Sequence, residues 1–164
     1  MISTILKKLL KTKAKKNEHP LTKLLVIIAG PTASGKTRLA IDLALHFETE
    51  IVSADSRQFY REISIGTAKP TEAELSEVPH HFINSHSISQ TVTAGTYAVE
   101  AKKMLAVLFK SHDVVIMAGG SGLYIDAVIH GIDDLPEANP AIRNELEKQY
   151  ESGGVTALQE QLKR

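Results

Sequence analysis

Residues 30–37 read Gly-Pro-Thr-Ala-Ser-Gly-Lys-Thr, and they follow directly on the apolar run Leu24–Ala29. The octapeptide fits the phosphate-binding pattern GxxxxGK[ST], and its flanks supply the structural context that this pattern needs. Leu24–Ala29 predicts a short buried strand, and residues 37–46 place apolar side chains at helical spacing. A strand, a glycine-bounded loop and a helix N-terminus direct several backbone N–H groups at one anion. The stretch therefore predicts a site for a diphosphate or triphosphate.

The loop residues also predict how the anion is held. Backbone N–H groups are expected to surround the phosphate oxygens. Lys36 adds a mobile positive charge for the outer oxygens, and the hydroxyl of Thr37 is placed to contact a magnesium ion. The predicted phosphate-binding residues are Gly30, Pro31, Thr32, Ala33, Ser34, Gly35, Lys36 and Thr37.

The composition is that of an ordinary globular domain. The chain has 164 residues, of which 43% are apolar and 23% are charged, which is enough for one domain with a hydrophobic core. It contains no cysteine, and this excludes disulfides and thiolate metal sites. No run approaches the length of a membrane span, and no secretory signal with a cleavage site is present. We expect a cytoplasmic protein without membrane partners.

The net charge of zero conceals a basic N-terminal segment. Residues 1–23 hold seven of the 19 basic residues, all of them lysine, but only one acid, Glu18. Apolar residues at positions 2, 5, 6, 9 and 10 follow helical spacing, with lysines mostly opposite. Such an arm can contact RNA phosphates or a membrane surface. A solvated, partly frayed extension is the interpretation that we favour.

Apolar runs alternate with amphipathic segments along the rest of the chain. Strands are predicted at 50–55 and 114–118, and helices at 94–110, at 123–129 and from 139 onward. Thr71 and Glu74 have the spacing of a capping box, which predicts a short helix there. The loop at 80–89 has room for one more strand. This alternation predicts an α/β fold with a parallel sheet and right-handed crossovers.

Polar residues follow the second predicted strand at its carboxyl end, where parallel sheets collect their ligands. Asp55 is the only carboxylate at a strand end near the phosphate loop, and we predict that it acts as a general base or a magnesium partner. A turn-forming acid is the alternative. Arg57 and Gln58 have side chains that can read a planar, hydrogen-bonding group such as a nucleobase.

A second glycine-rich turn, residues 119–122, follows the third predicted strand. Its glycines allow a backbone to approach a ligand closely, and Ser121 is placed to cap the following helix. His80 and His81 point to opposite sides of an extended segment and lack a third ligand at suitable spacing, so no metal site is expected there. Packing with a solvated hydroxyl is expected of three aromatic residues, namely Tyr60, Tyr97 and Tyr124.

Five segments, taken in order, resemble the tRNA dimethylallyltransferases, which are also called tRNA isopentenyltransferases. They are GPTASGKT at 30–37, SADSRQFYREISIGTAKPT at 53–71, HHFIN at 80–84, AGGSGLYIDAVIHG at 118–131 and NPAIR at 139–143. The resemblance covers residues 24 to about 150. Its most specific part lies within 55–70, because ordinary nucleotide kinases have no use for that segment.

The resemblance implies a prenyl transfer. The family moves a dimethylallyl group from dimethylallyl diphosphate to N6 of the adenosine immediately 3′ of the tRNA anticodon. The phosphate loop would hold the donor's diphosphate, with Lys36 and Mg²⁺ near Thr37 neutralising the leaving group. Asp55 would accept the proton of the adenine amine. The positions that match the family's tRNA-contacting residues are Asp55, Ser56, Arg57, Gln58, Ser121 and Arg143.

The resemblance also implies a domain organisation. A P-loop NTPase-like parallel sheet flanked by helices would occupy residues 24–136, after a basic extension at 1–23. Residues 137–164 would begin a helical inserted domain. Family members are substantially longer, so we expect this chain to be a truncated form, and we expect a monomer.

Three other functions fit the residues. A small-molecule P-loop kinase shares the loop, but such kinases clamp the transferred phosphate with several arginines, and the five arginines here form no such cluster. A prenyltransferase for free adenine nucleotides shares the chemistry, although residues 66–70 and Arg143 favour the tRNA branch. A non-enzymatic nucleotide- or RNA-binding module, with the basic arm as its contact, is the third.

Overall fold

A computed structural model describes residues 23–132 and 139–163. The chain divides into two compact units between Ile132 and Asp133. Most of the basic N-terminal segment lies outside the described residues, as do residues 133–138 at the start of the second unit. Within the described ranges, no helix is long and apolar enough to cross a membrane.

The first unit is built on a four-stranded parallel sheet. Its elements, in chain order, are β1 (Leu24–Ala29), α1 (Lys36–Phe47), β2 (Ile51–Ser53), α2 (Glu72–Glu77), β3 (His80–His81), α3 (Ala94–Ser111), β4 (Val114–Gly119) and α4 (Gly122–His130). The strand order is β1-β4-β2-β3, and all three pairings are parallel. The predicted parallel α/β sheet is confirmed.

Three details of the sheet differ from the sequence prediction. β1 was predicted as a buried strand, but it lies at the edge of the described sheet and its residues are half-buried or exposed. β2 covers three residues rather than the predicted 50–55, because the chain turns after Ala54 and the N–H of Gln58 donates to the carbonyl of Asp55 at 3.0 Å. The additional strand for which residues 80–89 had room is present as β3, and it pairs with β2 so that His80 lies opposite Ile51.

Helices cover both faces of the sheet. Successive strand residues point to opposite faces, so Val115 and Val52 join the core under α3 and α4, whereas Ile116 and Ile51 join the core under α1. All four of these side chains are at most 2% exposed. The carboxyl ends of the strands are thereby held rigidly at one edge, where the phosphate loop begins.

A fully buried aromatic side chain lies directly under the second strand. Tyr97 has no exposed surface, stacks on Phe59 with ring centroids 5.1 Å apart, and donates its hydroxyl hydrogen to the carbonyl of Ser53 at 2.8 Å. Burial raises the pKa of this hydroxyl. The prediction of a solvated hydroxyl was therefore wrong for Tyr97, because the terminal carbonyl of β2 needs a buried donor.

The described part of the second unit, residues 139–163, is one kinked helix, α5 (Pro140–Leu162). Asn139 accepts a hydrogen bond from the N–H of Ala141 at 2.9 Å, so the predicted cap with proline at the first helical position is confirmed. Gly154 has φ 64° and ψ −162° and interrupts the helix with a kink. Whether residues 137–164 belong to an inserted domain stays a prediction.

Candidate active site

The phosphate loop joins β1 to α1 through two residues in the left-handed backbone region. Ala33 has φ 62° and Gly35 has φ 81°. A left-handed residue directly before the helix turns the chain so that the first N–H groups of α1 follow the loop without a break. No side chain caps this helix end, which leaves those N–H groups for an anion.

Lys36 lies across the loop rather than extending away from it. Its Nζ donates to the carbonyl of Pro31 and lies 3.5 Å from Oγ of Ser34. The ammonium group is therefore already positioned over the turn that the sequence assigns to a phosphate. These two contacts are between a cation and neutral acceptors, so a charged phosphate oxygen can replace them favourably.

Glycines at the end of β4 bring three strand ends together. A Cβ added to Gly119 would lie 2.1 Å from the carbonyl oxygen of Ala54, so only glycine permits this backbone contact. A Cβ on Gly120 would lie 3.6 Å from both Oδ2 of Asp55 and the carbonyl oxygen of Gly30. The predicted convergence of the strand ends is confirmed.

A cavity of about 360 Å³ opens beside this junction, within the first unit. Residues 32–37 line it, together with Asp55, Gln58 and Gly119 at or after the ends of β2 and β4. The remaining lining residues are Arg38, Ala40, Ile51, Ser53, Ala68, Pro70, Glu74, His80, Ile83 and Ala118. The cavity is therefore lined by the cationic Lys36 and Arg38, by the carboxylates of Asp55 and Glu74, and by a mixture of polar and apolar residues.

Asp55 presents one carboxylate oxygen to this junction. Its Oδ1 accepts a hydrogen bond from the N–H of Arg57 at 3.1 Å, which fixes the orientation of the carboxylate. Its Oδ2 lies on the side of Gly120, and no donor from residues 23–132 or 139–163 is bonded to it. A lone pair on Oδ2 is thus available to a ligand in the cavity.

Ser121 ties the turn after β4 to the turn after β2. Its Oγ accepts from the N–H of Ser56 at 2.9 Å and donates to Oγ of Ser56 at 3.1 Å. Its side chain makes no capping bond to α4, so the predicted capping role was wrong, because Ser56 occupies the hydroxyl. Neither serine lines the cavity.

Gln58 lines the cavity, but its side-chain amide is engaged at both ends. Its Oε1 accepts from the hydroxyl of Ser53 at 3.2 Å, and its Nε2 donates to the carbonyls of Thr67 and Ala68 at 3.3 and 2.9 Å. It therefore joins β2 to the segment at 66–70. The exposed Arg57 does not line the cavity. That these two residues read a nucleobase stays a prediction.

The sequence did not indicate three ionisable residues that line the cavity: Arg38, Glu74 and His80. Glu74 accepts from the N–H and hydroxyl of Thr71 at 2.8 and 2.9 Å, so the predicted capping box is confirmed. The guanidinium of Arg38 binds Asp42 on its own helix and Glu77 on α2. The capping-box spacing was visible in the sequence, but nothing local indicates that α2 forms a wall of the cavity.

His80 contributes a neutral imidazole to that wall. Its Nδ1 hydrogen is donated to the carbonyl of Val78 at 2.7 Å, which leaves Nε2 as an acceptor. Burial lowers the pKa of His80, and neighbouring His81 adds to this, while the bond to Val78 and the charge of Glu74 oppose it.

Because burial depresses the pKa of His80, the unfolded chain takes up a proton more readily than the folded one. The resulting stability is fully present above pH 6.5 and is lost as the pH falls through the lowered folded value. We expect the free energy of unfolding of His80→Gln to fall less steeply between pH 7 and pH 5 than that of the parent. Urea unfolding at half-unit pH steps measures both slopes, and parallel curves would refute the expectation.

Arg143 lies in the second unit, on the exposed face of α5. Its Nε donates to Oε1 of Glu147 at 3.1 Å, and the two side chains are 82% and 59% exposed. An exposed pair of this kind binds weakly, so the guanidinium is readily released to a stronger anionic partner.

The donor set of the cavity fits magnesium better than a softer metal. The described residues hold no group of three or more histidine, aspartate or glutamate side chains able to hold a metal ion. Thr37 and Asp55 both line the cavity and offer oxygen ligands. Magnesium typically takes one or two protein oxygens and completes its shell with phosphate oxygens and water, which is what this cavity can provide.

The fold and the cavity together define an α/β protein with a loop of the phosphate-binding pattern at the carboxyl edge of a parallel sheet. The sequence matches the IPP transferase family over residues 58–164, and the chain belongs to that family. The match begins after the phosphate loop.

Similar sequences carry the same family assignment. The chain is 52% identical over 141 residues to the tRNA dimethylallyltransferase of Flavobacterium johnsoniae. It is 46% identical over 143 residues to that of Cytophaga hutchinsonii. These alignments cover 86% and 87% of this chain but 46% and 47% of the relatives. The chain thus spans about half the length of the curated relatives that it matches.

Solved structures agree with the fold. The tRNA isopentenylpyrophosphate transferase of Bacillus halodurans superimposes with a TM-score of 0.66 at 37% identity, covering 86% of this chain and 47% of that one. A eukaryotic dimethylallyltransferase acting on tRNA gives a TM-score of 0.65 at 28% identity, covering 77% and 32%. The predicted P-loop NTPase-like sheet flanked by helices is confirmed.

Proposed function

We propose that this chain carries the donor-binding site of a tRNA dimethylallyltransferase, which transfers a dimethylallyl group to N6 of the adenosine 3′ of the anticodon. The observation that carries the proposal is that Asp55, whose Oδ2 accepts no hydrogen bond from the described residues, lines one cavity with the phosphate loop. Prenyl transfer needs an anion site for the leaving group and, a few ångströms away, a base for the attacking amine. The relatives named above support the same reaction.

The phosphate loop would hold the diphosphate of dimethylallyl diphosphate. Backbone N–H groups at the start of α1 and the ammonium of Lys36 would bind the oxygens on which charge accumulates as the C–O bond breaks. A magnesium ion held by the hydroxyl of Thr37 and the phosphate oxygens would supply further positive charge there. The five-carbon group would lie against apolar lining residues such as Ala118 and Ile83.

Asp55 would act on the acceptor. The N6 nitrogen of adenosine forms a bond to C1 of the dimethylallyl group while the bond from C1 to the diphosphate oxygen breaks, and diphosphate leaves with the electron pair. The N6 proton passes to Oδ2 of Asp55. The bond from Arg57 to Oδ1 keeps Oδ2 turned toward the junction of the strands, so the base is oriented before the adenosine arrives.

The other residues of the turn would shape the nucleobase site. Ser121 and Ser56, bonded to each other, hold the turn that carries Asp55. Gln58 holds the opposite side through its bonds to Thr67 and Ala68. Arg57 is exposed beside them, and we propose that it and Arg143 bind tRNA phosphates.

We also propose that the enzyme is a monomer located in the cytoplasm. Sedimentation would test the oligomeric state, and cell fractionation would test the location.

Titration calorimetry with Mg²⁺ tests the donor site. We expect dimethylallyl diphosphate and pyrophosphate to bind more tightly than ATP, because Arg38 is the one arginine among the lining residues and a third phosphate would have to compete with the two carboxylates that already pair with it. Lys36→Ala should weaken donor binding about ten- to a hundred-fold, the value of a charge-assisted bond. The matched control is Lys103→Ala, an exposed lysine of α3, which should bind as the parent does.

Two results would contradict the proposal. A preference for ATP would indicate a P-loop kinase instead. Donor affinity that is unchanged in Lys36→Ala would remove the phosphate loop from the donor site.

A further inference from the structure

The segment at 61–70 holds one apolar side chain almost entirely in solvent. Ile65 is 96% exposed, more than any other large apolar residue of the described chain. Single exposed apolar residues are common on protein surfaces, so exposure alone indicates nothing. Here the exposed side chain sits on a turn whose neighbours are unusually well fixed, and that combination needs an explanation.

Hydrogen bonds fix this turn from inside. The side chain of Thr67 is 6% exposed, and its hydroxyl donates to the carbonyl of Ser64 at 3.0 Å, with that of Ile63 at 3.4 Å. Gly66 has φ 75°, a conformation that glycine adopts without strain. The backbone on both sides of Ile65 is therefore set by bonds that do not involve Ile65 itself.

Charged and amide groups anchor the same segment to the rest of the unit. Lys69 donates to the carbonyl of Tyr60 at 2.5 Å and to Oδ1 of Asn84 at 2.7 Å. Burial lowers the pKa of this lysine. Partial desolvation of a lysine costs free energy. Here this lysine holds a turn whose tip residue, Ile65, is almost fully exposed.

The turn stands next to the cavity. Gln58, which lines the cavity, bonds to the carbonyls of Thr67 and Ala68, and Ala68 and Pro70 line the cavity themselves. Ile65 is three residues from Ala68. The exposed Arg57 and Arg61 lie on the same stretch of chain and supply positive charge for phosphate groups.

We propose that Ile65 is an apolar contact for the nucleobase next to the adenosine that enters the cavity, a proposal that rests on the proposed function. A base taken out of a stack leaves its neighbour with an uncovered face, and proteins commonly cover such a face with an apolar side chain. A rigid turn beside the cavity places an isoleucine where this face would be. The partner is a single-stranded RNA loop, with phosphates near the two arginines.

An RNA hairpin with a seven-nucleotide anticodon loop tests the contact, with 2-aminopurine as the nucleotide 3′ of the anticodon. The parent chain should bind it and raise its fluorescence, because the probe brightens when it leaves the stack. Ile65→Ala should bind about ten-fold more weakly, as expected for the loss of one base contact, with a smaller rise at saturation. Ile65→Leu should restore both values.

The matched control is Val107→Ala, which shortens another exposed apolar side chain, on α3 and 58% exposed. It should bind the hairpin as the parent does, and pyrophosphate affinity should be equal in all variants, which shows that each is folded.

Hairpin affinity of Ile65→Ala within two-fold of the parent would overturn the proposal and indicate a protein surface instead. Failure of the parent to bind the hairpin would also overturn it. If RNA binding depends on Ile65 but the chain prefers ATP to the prenyl donor, the RNA contact of Ile65 is supported and the proposed prenyl transfer is refuted.

Discussion

Gly119→Ala is expected to lower the free energy of unfolding by more than about 3 kcal/mol, which is large for one methyl group. The added Cβ would lie 2.1, 2.3 and 2.8 Å from the O, C and Cα atoms of Ala54. All three are backbone atoms, so no side chain can rotate away. Ala54 is held in turn by its N–H bond to the carbonyl of Ala118 at 2.8 Å and by the bond that its carbonyl accepts from the N–H of Ser121 at 3.2 Å.

Thermal and urea unfolding measure this loss directly, and the chain offers a matched control three residues away. Gly122 begins α4, and a Cβ there would have no neighbouring heavy atom within 4 Å. Gly122→Ala should therefore be neutral or slightly stabilising, since alanine favours the helix. If both variants unfold at the temperature of the parent, β4 does not approach β2 as closely as described.

Asp55→Asn should reduce the rate of prenyl transfer by about 10²- to 10⁴-fold, the usual contribution of a general base. The amide has the shape of the carboxylate and can still accept the bond from Arg57, so the turn should be preserved. It cannot accept a proton from N6 of adenosine. Single-turnover transfer of labelled dimethylallyl to an anticodon hairpin measures the rate.

Donor affinity separates this chemical role from a binding role. Calorimetry with Mg²⁺ should give the Asn variant nearly the donor affinity of the parent, because the phosphate loop and Thr37 are unchanged and the amide oxygen can still face a bound magnesium ion. Asp126→Asn is the control, since this carboxylate of α4 is 70% exposed and pairs only with His130 on its own helix among the described residues. Transfer by Asp55→Asn at more than a third of the parent rate would exclude Asp55 as the base.

The phosphate loop and the sheet could be predicted because their signals are local. The pattern at 30–37 lies between an apolar run and an amphipathic helix, and each of these has a period that a short window reveals. Asp55 could be chosen because it follows a strand, and parallel strands end at one edge. The capping box of Thr71 is also a local signal, and it forms as predicted.

The roles of Ser121, Gln58 and His80 could not be predicted, because their partners are distant in sequence. Ser121 had the position of a helix cap, but its hydroxyl is bonded to Ser56, 65 residues earlier. Gln58 had the chemistry of a base-reading side chain, and the structure fills its hydrogen bonds with the segment at 66–70. His80 enters the cavity because β3 pairs with β2, which no local pattern specifies.

The strand order also determines when the phosphate loop can form during synthesis. Among the described strands β1 pairs only with β4, and the paired residues Leu24 and Val114 are about 90 positions apart. The loop that follows β1 therefore leaves the ribosome long before its supporting strand exists. Contacts so distant in sequence form slowly. Until Gly119 has emerged, the nascent chain carries an unpaired apolar strand, and this interval is when it most needs protection from aggregation.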